Sequence, residues 1–418
     1  MSAIGIDFAR TSTVACLRDG DWPGCRWRPI GDSARIRIPN AIDGSGRWGS
    51  LAVGTNAPDL VGGHLSLDAG PWLGSPQAQA FLHSLATRLT AFLGRVEPTV
   101  KNGYRVVIAP ETQSFDETAS VIEGMCRRGA VSELDGGVCI PVQRALLCRW
   151  MAESRAEGSR TVVAVVVGDT LATAGAYEVE FGQAQRPEIV RCGAPHYLPG
   201  TGNAWWEQLV YEKIAERANA EIPAAQSLEV RDAILGMATR LRLGDRDCSI
   251  EWRGPLSDRM FQPLEIDRAS MRNAREVLIL SLQLPRIIGE ALKSLGARAD
   301  LVLLGGVGAS WPFALEAIET AWQFGGVPVW QSANPLEDVA RGAALWPMFA
   351  FGSRQILWTD RGDSSVEFAI GARAADDHQL DSTRTLTDDT PISQSSEPLL
   401  SRWTRRAPLL SGAPEEDL

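Results

Sequence analysis

Lysine is scarce in this chain, which has 41 Lys and Arg residues but lysine only at positions 101, 213 and 293. Any mechanism that needs a lysine therefore has very few candidates. Acidic residues outnumber basic ones, and the formal net charge is -10. Because nucleic-acid binding rests largely on Lys and Arg that neutralise phosphates, this balance argues against nucleic acid as a partner.

Paired cysteines and long apolar runs are also missing. The seven cysteines are never spaced CxxC, which favours reduced, mostly buried thiols over a disulfide framework or a zinc site. The longest apolar run, TVVAVVVG, is far shorter than the roughly 20 residues of a membrane helix. No charged-then-apolar leader precedes Ile4. We therefore expect a soluble, cytoplasmic protein without a membrane partner.

The composition otherwise resembles that of a large globular protein. A chain of 418 residues exceeds the size at which one hydrophobic core stops growing, so two lobes are expected. Its 44% hydrophobic and 22% charged residues suit a packed core. The segment 371–418 is polar and rich in Ser, Thr and Asp, which predicts a disordered tail. Residues 351–370 are interpreted as C-terminal strands or an extension.

Two segments with the same pattern open two halves of the chain. AIGIDF, a turn and STVACL predict a β-hairpin over residues 3–17, and TVVAVVVGDTLATAGAYEVEF predicts strand, turn, strand from Thr161. Further strands are predicted at ARIRIPNAI, SLAVG, YRVVIAP, ADLVLLGG and VPVWQ. Helices are predicted over residues 75–94, 114–128, 143–154, 203–220, 226–243 and 267–296, from Pro312, and from about Asn334.

Facing hairpin turns can hold a di- or triphosphate through their backbone N–H groups. An acidic residue at a strand end can then hold Mg2+ through water, and Asp7 ends the first strand. A solvated turn aspartate is the alternative interpretation of Asp7.

A glycine loop and a capped helix follow later in the chain. In VLLGGVGASWP, adjacent glycines let the backbone approach a flat ring or a phosphate, although such a loop also serves as an ordinary turn. In NPLEDVARGAALW, Asn334 can cap a helix that begins at Pro335, and Gly342 permits close packing.

The order hairpin, hairpin, VLLGG, NPxExVAxGAA resembles the nucleotide-binding domain of the seventy-kilodalton heat-shock (DnaK-type) chaperones, within the actin, hexokinase and heat-shock ATPase superfamily. The resemblance runs from Ile4 to about Trp346. It implies an α/β, actin-like (ribonuclease H-like) ATPase fold with two lobes, each a five-stranded mixed sheet with flanking helices around a nucleotide cleft. Lobe I would span 1–160 and lobe II 161–350, with the last helix, about 334–350, returning to lobe I.

The same resemblance implies ATP or ADP as ligand and Mg2+ as metal. Asp7 and Asp169 become the candidate catalytic residues, and Asp7 also the candidate Mg2+ ligand through water. The candidate nucleotide-binding residues lie in the two turns, a loop, a helix and the glycine loop: Ala9, Arg10, Thr11, Gly168, Thr170, Gly202, Arg240, Gly305, Gly306 and Gly308.

Departures from the family pattern all fall on catalytic chemistry. The family has Gly-Thr-Thr where this chain has Ala9, Arg10 and Thr11, and the second strand-end aspartate becomes Val166. Arg10 could clamp phosphates with its planar fork or point to solvent. The family's glutamate near Gln143 is missing, and so is its lysine in LDAGPWLGSP. Since phosphoryl transfer depends on metal ligands and cations, these losses predict little or no hydrolysis.

We therefore expect a chaperone-like ATP/ADP-binding protein with degraded catalytic motifs, acting as a switch or scaffold for partner proteins or clients. One alternative is an active ATPase that uses Asp7 and Asp169 in a rearranged site. The others are a small-molecule kinase of the superfamily and a polymerising actin-like structural protein. The segment after Trp346 is not expected to form the chaperones' peptide-binding β-sandwich.

Overall fold

The computed structural model describes most of the chain up to residue 350: residues 3–19, 25–31, 35–55, 59–62, 80–81, 83–85, 105–127, 138–182, 187–218, 222, 224–244, 247–250, 264–267, 271–322 and 326–350. The predicted extension 351–370 and tail 371–418 lie outside the described residues. So does LDAGPWLGSP, the segment that the resemblance aligns with the family's lysine. Of the predicted helix 75–94, the described residues 80, 81 and 83–85 are helical.

The first half of the chain forms a mixed sheet of six strands. Its strands are β1 (Ala3–Phe8), β2 (Ser12–Asp19), β3 (Arg26–Ile30), β4 (Arg37–Pro39), β7 (Arg105–Pro110) and β8 (Val138–Cys139). The order is β3-β2-β1-β7-β8, with β4 also paired to β2. β1 runs antiparallel to β2 and parallel to β7, so Asp7 and Pro110 reach the same edge of the sheet. A separate ribbon consists of β5 (Ala41–Ile42) and β6 (Val61–Gly62).

A second six-stranded mixed sheet repeats this topology. Its strands are β9 (Gly158–Val167), β10 (Leu171–Phe181), β11 (Glu188–Cys192), β12 (His196–Pro199), β15 (Leu301–Gly305) and β16 (Val329–Gln331). The order is β11-β10-β9-β15-β16, with β12 also paired to β10. The pair β13 (Asp247–Ile250) and β14 (Leu264–Asp267) stands apart. Two mixed sheets led by hairpins are thus confirmed, each with one strand more than the predicted five.

Helices cover and separate the sheets: α1 (Gly49–Gly54), α2 (Phe115–Arg127), α3 (Val142–Glu153), α4 (Asn203–Ala218), α5 (Ala224–Arg242), α6 (Arg275–Leu295), α7 (Pro312–Trp322) and α8 (Pro335–Ala350). A 3-10 turn, Val307–Ser310, precedes α7. α8 packs on β1, β2, β7 and α3. Gly5 and Gly342 permit this packing, because a Cβ at either position would overlap the carbonyl oxygens of Ala340 and Ala145 respectively. The close packing predicted for Gly342 is confirmed.

One core joins the two halves. It combines apolar side chains of β7, β9 and β15 with those of α3 and α8, so these two helices lie between the sheets. The outer face of the second sheet packs on α4, α5, α6 and α7 in a further core, which includes Trp206 and Trp311. None of the described helices combines the length and apolar character needed to cross a lipid bilayer.

Most predicted elements among the described residues are confirmed, and two need correction. SLAVG is the helix α1 rather than a strand, because Gly49, Ala52 and Val53 are buried together at helical spacing. A short apolar run does not distinguish the two periods. The helix predicted from residue 267 begins at Arg275, since Leu264–Asp267 pairs as β14.

Candidate functional site

Two tight turns with the same backbone geometry lie at the ends of the two hairpins. The first turn, residues 9–12, is closed by a bond from Ala9 N to Ser12 O (3.1 Å), and the second turn, residues 168–171, by one from Gly168 N to Leu171 O (2.9 Å). The residue two places before each turn is Asp7 in the first hairpin and Val166 in the second. The second hairpin therefore has an apolar side chain at the position where the first has its aspartate.

Side chains of the first turn bind Asp169 of the second turn directly. Thr11 Oγ1 donates to Asp169 Oδ2 at 2.6 Å, and Ser12 Oγ donates to the same oxygen at 2.7 Å. Asp169 is fully buried. The predicted catalytic carboxylate is thus engaged by the opposite hairpin instead of facing an open cleft.

Arg37 of β4 extends the contact between the two halves. Its Nε donates to Ser12 Oγ (3.0 Å), its Nη2 contacts Asp169 Oδ1 (3.3 Å) and its Nη1 donates to Glu207 Oε2 (2.6 Å). Only 11% of the Arg37 side chain is exposed. A planar guanidinium suits this role because its fork reaches several acceptors at once.

Glu207 connects Arg37 to the helices of the second half. It lies on α4 and also accepts from Arg231 Nη1 of α5 (2.7 Å) and from Asn203 Nδ2 (2.9 Å). Burial alone would raise the pKa of Glu207, but Arg37 and Arg231 lower it overall. Trp311 Nε1 in turn donates to Asn203 Oδ1 (3.0 Å). These hydrogen bonds hold Glu207, the partner of Arg37, in place.

A carboxylate from the first half fills the donor face of the second turn. Glu111 directly follows β7, and its backbone N donates to Phe8 O at 3.0 Å. Its Oε2 accepts from Asp169 N (2.8 Å), and its Oε1 accepts from Thr170 N (2.6 Å), Leu171 N (2.9 Å) and Thr170 Oγ1 (2.9 Å). A Cβ at Gly168 would lie 2.5 Å from Glu111 Oε2, so glycine is needed there for the carboxylate to approach.

The carbonyl oxygens of the second turn are also paired. Asn203 N and Ala204 N, at the start of α4, donate to Gly168 O (3.0 Å) and Asp169 O (2.9 Å). Gly202 makes this approach possible, since its φ is 136° and a Cβ there would meet the same two carbonyl oxygens at 2.6 and 2.7 Å. The predicted site residue Gly202 thus serves contact between protein segments.

Asn40 holds the first turn in a different way. Its Nδ2 donates to Ala9 O (2.6 Å) and its backbone N donates to Thr11 O (2.9 Å). Its own Oδ1 accepts from Thr13 Oγ1 at 2.7 Å. The first turn is therefore held through its carbonyl oxygens. Arg10, the residue at its second position, is partly buried.

Asp7, Glu111 and Asp169 line one small cavity together with Val166. The space open to the centre of a water-sized sphere is about 10 Å³, roughly room for one water molecule. Burial raises the pKa of Asp7 well above its usual value, and the carboxylates of Glu111 and Asp169 raise it further. Burial, and after it Asp169, raise the pKa of Glu111 to about 7, although the hydrogen bonds from the second turn act in the opposite direction.

Asp7 differs from the other two carboxyl groups in its hydrogen bonds. Among the residues that the structure describes, no hydrogen-bond donor contacts its carboxyl group, whereas Glu111 and Asp169 each accept several bonds. Over the same residues, no group of three or more His, Cys, Asp or Glu side chains is arranged to hold a metal ion directly. Mg2+ held by Asp7 through water stays a prediction.

The predicted glycine that ends β15 and the two that follow it lie against protein atoms. A Cβ at Gly306 would meet Val167 O (2.5 Å), one at Gly308 would meet Val167 Cγ1 (2.5 Å), and one at Gly305 would meet Leu146 Cδ1 (2.5 Å). These glycines let the 3-10 turn lie on the end of β9. Within the described residues they serve the contact between strands and helix.

Arg240, another predicted nucleotide-binding residue, is exposed on α5. Its neighbour Arg242 instead reaches the segment before α8, where it donates to Ser332 O (3.4 Å) and Ala333 O (3.1 Å). The structure thus brings together the predicted residues of the two turns and Gly202, and it leaves Arg240 on the surface.

Sequence reasoning missed Glu111, Arg37, Asn40 and Glu207. For Glu111 a signal exists, because an acid directly after a strand parallel to β1 must lie at the same sheet edge as Asp7. For Arg37 the alternation in ARIRIPNAI places it on the same side as Arg35, which contacts Asp232. The partners Glu207 and Asn40 have no local sequence signal.

In this arrangement the groups of the second turn are bound by other groups of the protein. The N–H groups that would hold a phosphate bind Glu111, and Asp169 binds the first turn. The remaining cavity is lined by three carboxyl groups, which repel phosphate, and has space for about one water molecule. Comparison of the sequence with models of known protein families gave no match, and neither did comparison with curated proteins.

Proposed function

We propose that this chain is a heat-shock-chaperone-like protein with an actin-like (ribonuclease H-like) fold, a pseudo-ATPase that acts as a switch or scaffold for partner proteins. Lobe I is proposed over residues 1–160 and lobe II over 161–350. The observation that carries the proposal is the engagement of Asp169, which accepts from Thr11 and Ser12. With Val166 at the strand end, Asp169 is the acid that the turn end of the second hairpin has to offer to a nucleotide.

Direct bonds between the halves support the scaffold role. Thr11, Ser12 and Arg37 reach Asp169 and Glu207, while Glu111 reaches the second turn. In the proposal these bonds hold the two lobes together in the way that a bound nucleotide holds them in an ATPase. The lobes then present a fixed surface to a partner protein without turnover.

ATP or ADP, with or without Mg2+, remains the proposed ligand of a second, open arrangement. Binding requires the two turns to separate, since the donor groups of the second turn are in use. Among the described residues, the cysteines 16, 25, 139, 148 and 192 are free thiols, which suits a reducing, cytoplasmic compartment.

The test is steady-state phosphate release by the purified chain, with Asp7→Asn as the comparison. We expect no turnover above the blank in either protein. Magnesium-dependent turnover that Asp7→Asn abolishes would reject the pseudo-ATPase. Thermal unfolding with ATP, ADP and Mg2+ measures binding separately, because a ligand that binds only the native state raises its stability.

A further inference from the structure

Glu111 is bound in the way that proteins bind an external anion. Three consecutive backbone N–H groups, of Asp169, Thr170 and Leu171, and the Thr170 hydroxyl all donate to one carboxylate at 2.6 to 2.9 Å. Successive N–H groups that converge in a turn form a concave site for anions such as phosphate. If Glu111 served only to fill space between the two halves, none of these four hydrogen bonds would be needed.

The carboxylate reaches this site from the other half of the chain. Glu111 follows Pro110 at the end of β7, whereas the second turn joins β9 to β10. Gly168 leaves the space that the carboxylate occupies, since a Cβ there would lie 2.5 Å from Oε2. A side chain 58 positions before Asp169 in the sequence therefore occupies both the donors and the space of the second turn.

We propose that Glu111 is an autoinhibitory internal anion: it occupies a phosphate-binding turn, and a phosphate group binds there only after this carboxylate is displaced or removed. The inference deepens the proposed function and rests on it only in taking the second turn for the phosphate end of the cleft. The ligand class is the phosphate group, supplied either by a nucleotide or by inorganic phosphate or pyrophosphate.

Charge explains why the internal anion excludes an external one. Asp7 and Asp169 face the same cavity as Glu111, so an added phosphate would meet three carboxyl groups in a space with room for about one water molecule. Glu111→Ala removes one of these charges, frees four donors and deletes nearly as many heavy atoms as a phosphate ion contains.

The experiment measures thermal unfolding of the full chain, as wild type and as Glu111→Ala, with inorganic phosphate, pyrophosphate or ATP. Sodium chloride at equal ionic strength is the reference. We expect Glu111→Ala to unfold at a lower temperature than wild type without phosphate and to regain several degrees with it, in a concentration-dependent way. Wild type should show no shift beyond the chloride reference.

Glu123→Ala is the matched control. Glu123 also accepts a backbone N–H, from Cys139 at 3.1 Å, but this contact does not involve the second turn. This variant should lose stability without regaining it in phosphate. Glu111→Gln keeps the shape of the side chain in the turn and should likewise show no phosphate effect.

Glu111→Asp provides a second test if the alanine variant does not fold. Its shorter side chain draws the carboxylate back from the donors, so phosphate should stabilise this variant more than wild type. Equal phosphate responses in wild type and in whichever of Glu111→Ala and Glu111→Asp folds would overturn the proposal. Stabilisation by inorganic phosphate but not by ATP would support the internal anion while contradicting nucleotide binding, and hydrolysis by wild type would contradict only the pseudo-ATPase.

Discussion

The first and second turns are closed in the same way but differ in the partners of their polar groups. Each is closed by the same N–H to carbonyl bond, and each has a threonine at its third position whose hydroxyl donates to a carboxylate of the other half. Thr11 donates to Asp169, and Thr170 donates to Glu111. Carbonyl oxygens of both turns are paired, in the first by Asn40 and in the second by the start of α4. In the second turn Glu111 also accepts from the backbone N–H groups. The geometry of such a turn therefore does not by itself decide whether the turn binds an anion. The group that accepts from its N–H groups decides this.

Arg37→Ala should give the largest effect, because it breaks the link between the turns and leaves Asp169 and Glu207 buried with fewer cations. Removing one partner of a buried ion pair costs about 3–5 kcal/mol. The free energy of unfolding in urea measures the loss. Arg286→Ala, which removes an exposed pair with Glu290, should change it by no more than about 0.5 kcal/mol. Equal losses in the two variants would contradict the role of Arg37.

Val166→Asp makes the second hairpin more like the first, with an acid two residues before the turn. The new carboxylate would be the fourth in a cavity that already holds three, at a position only 3% exposed. We expect a loss of about 3 kcal/mol in urea unfolding, since the charge is buried without a partner. Val166→Thr, of similar shape and uncharged, should cost about half as much. A Val166→Asp variant as stable as Val166→Thr would show that the cavity accepts a further charge.

The two threonines allow a direct measurement of the difference between the turns. Thr11→Val leaves Asp169 with donors only from Ser12 and Arg37, whereas Thr170→Val leaves Glu111 with three backbone N–H groups. We expect Thr11→Val to cost about 2 kcal/mol and Thr170→Val about 1 kcal/mol in urea unfolding. The reverse order would mean that Glu111 depends on the hydroxyl more than on the backbone.

Asp7→Asn should have the smallest effect and the opposite sign at high pH. The pKa of Asp7 and that of Glu111 are raised in the folded chain, so folding takes up protons and stability falls as pH rises, for Glu111 between 4.5 and about 7. Asp169, whose charge raises the pKa of both groups, is itself paired with Arg37. Asparagine removes the Asp7 charge, so we expect a flatter pH profile and a gain of about 1 kcal/mol near pH 8. Urea unfolding near pH 5 and pH 8 measures both, and a loss near pH 8 would contradict a raised pKa of Asp7.

Local patterns predicted the frame of this molecule. Alternating apolar strands around short polar turns identified both hairpins, and Gly306 after an apolar run identified the loop at the end of β15. These signals are local, because strand periodicity and turn residues are set by neighbouring positions. The strand predicted for SLAVG was wrong for the same reason, because five residues are too few to distinguish a strand from a helix. The buried side of this helix faces Leu228 of α5.

The partners inside the site could not be predicted in the same way. Asp169 was predicted as a candidate catalytic acid. Its hydrogen bonds to Thr11 and Ser12, however, join positions that are 158 and 157 residues apart in the sequence. Nothing in the sequence near Glu111 reveals the donors that bind it. Only the structure, in which the turns of the two sheets lie together, shows that Asp169 and Glu111 accept hydrogen bonds from other groups of the protein.

The helix α8 has a consequence for synthesis of the chain. It lies on β1, where Gly5 leaves room for the Ala340 carbonyl, so the first strand to leave the ribosome acquires its covering helix only after residue 350 has been translated. Until then the apolar face of the N-terminal sheet has no intramolecular cover at this position. A nascent chain stalled before Pro335 should therefore be a stronger substrate for cellular holdases than the released polypeptide.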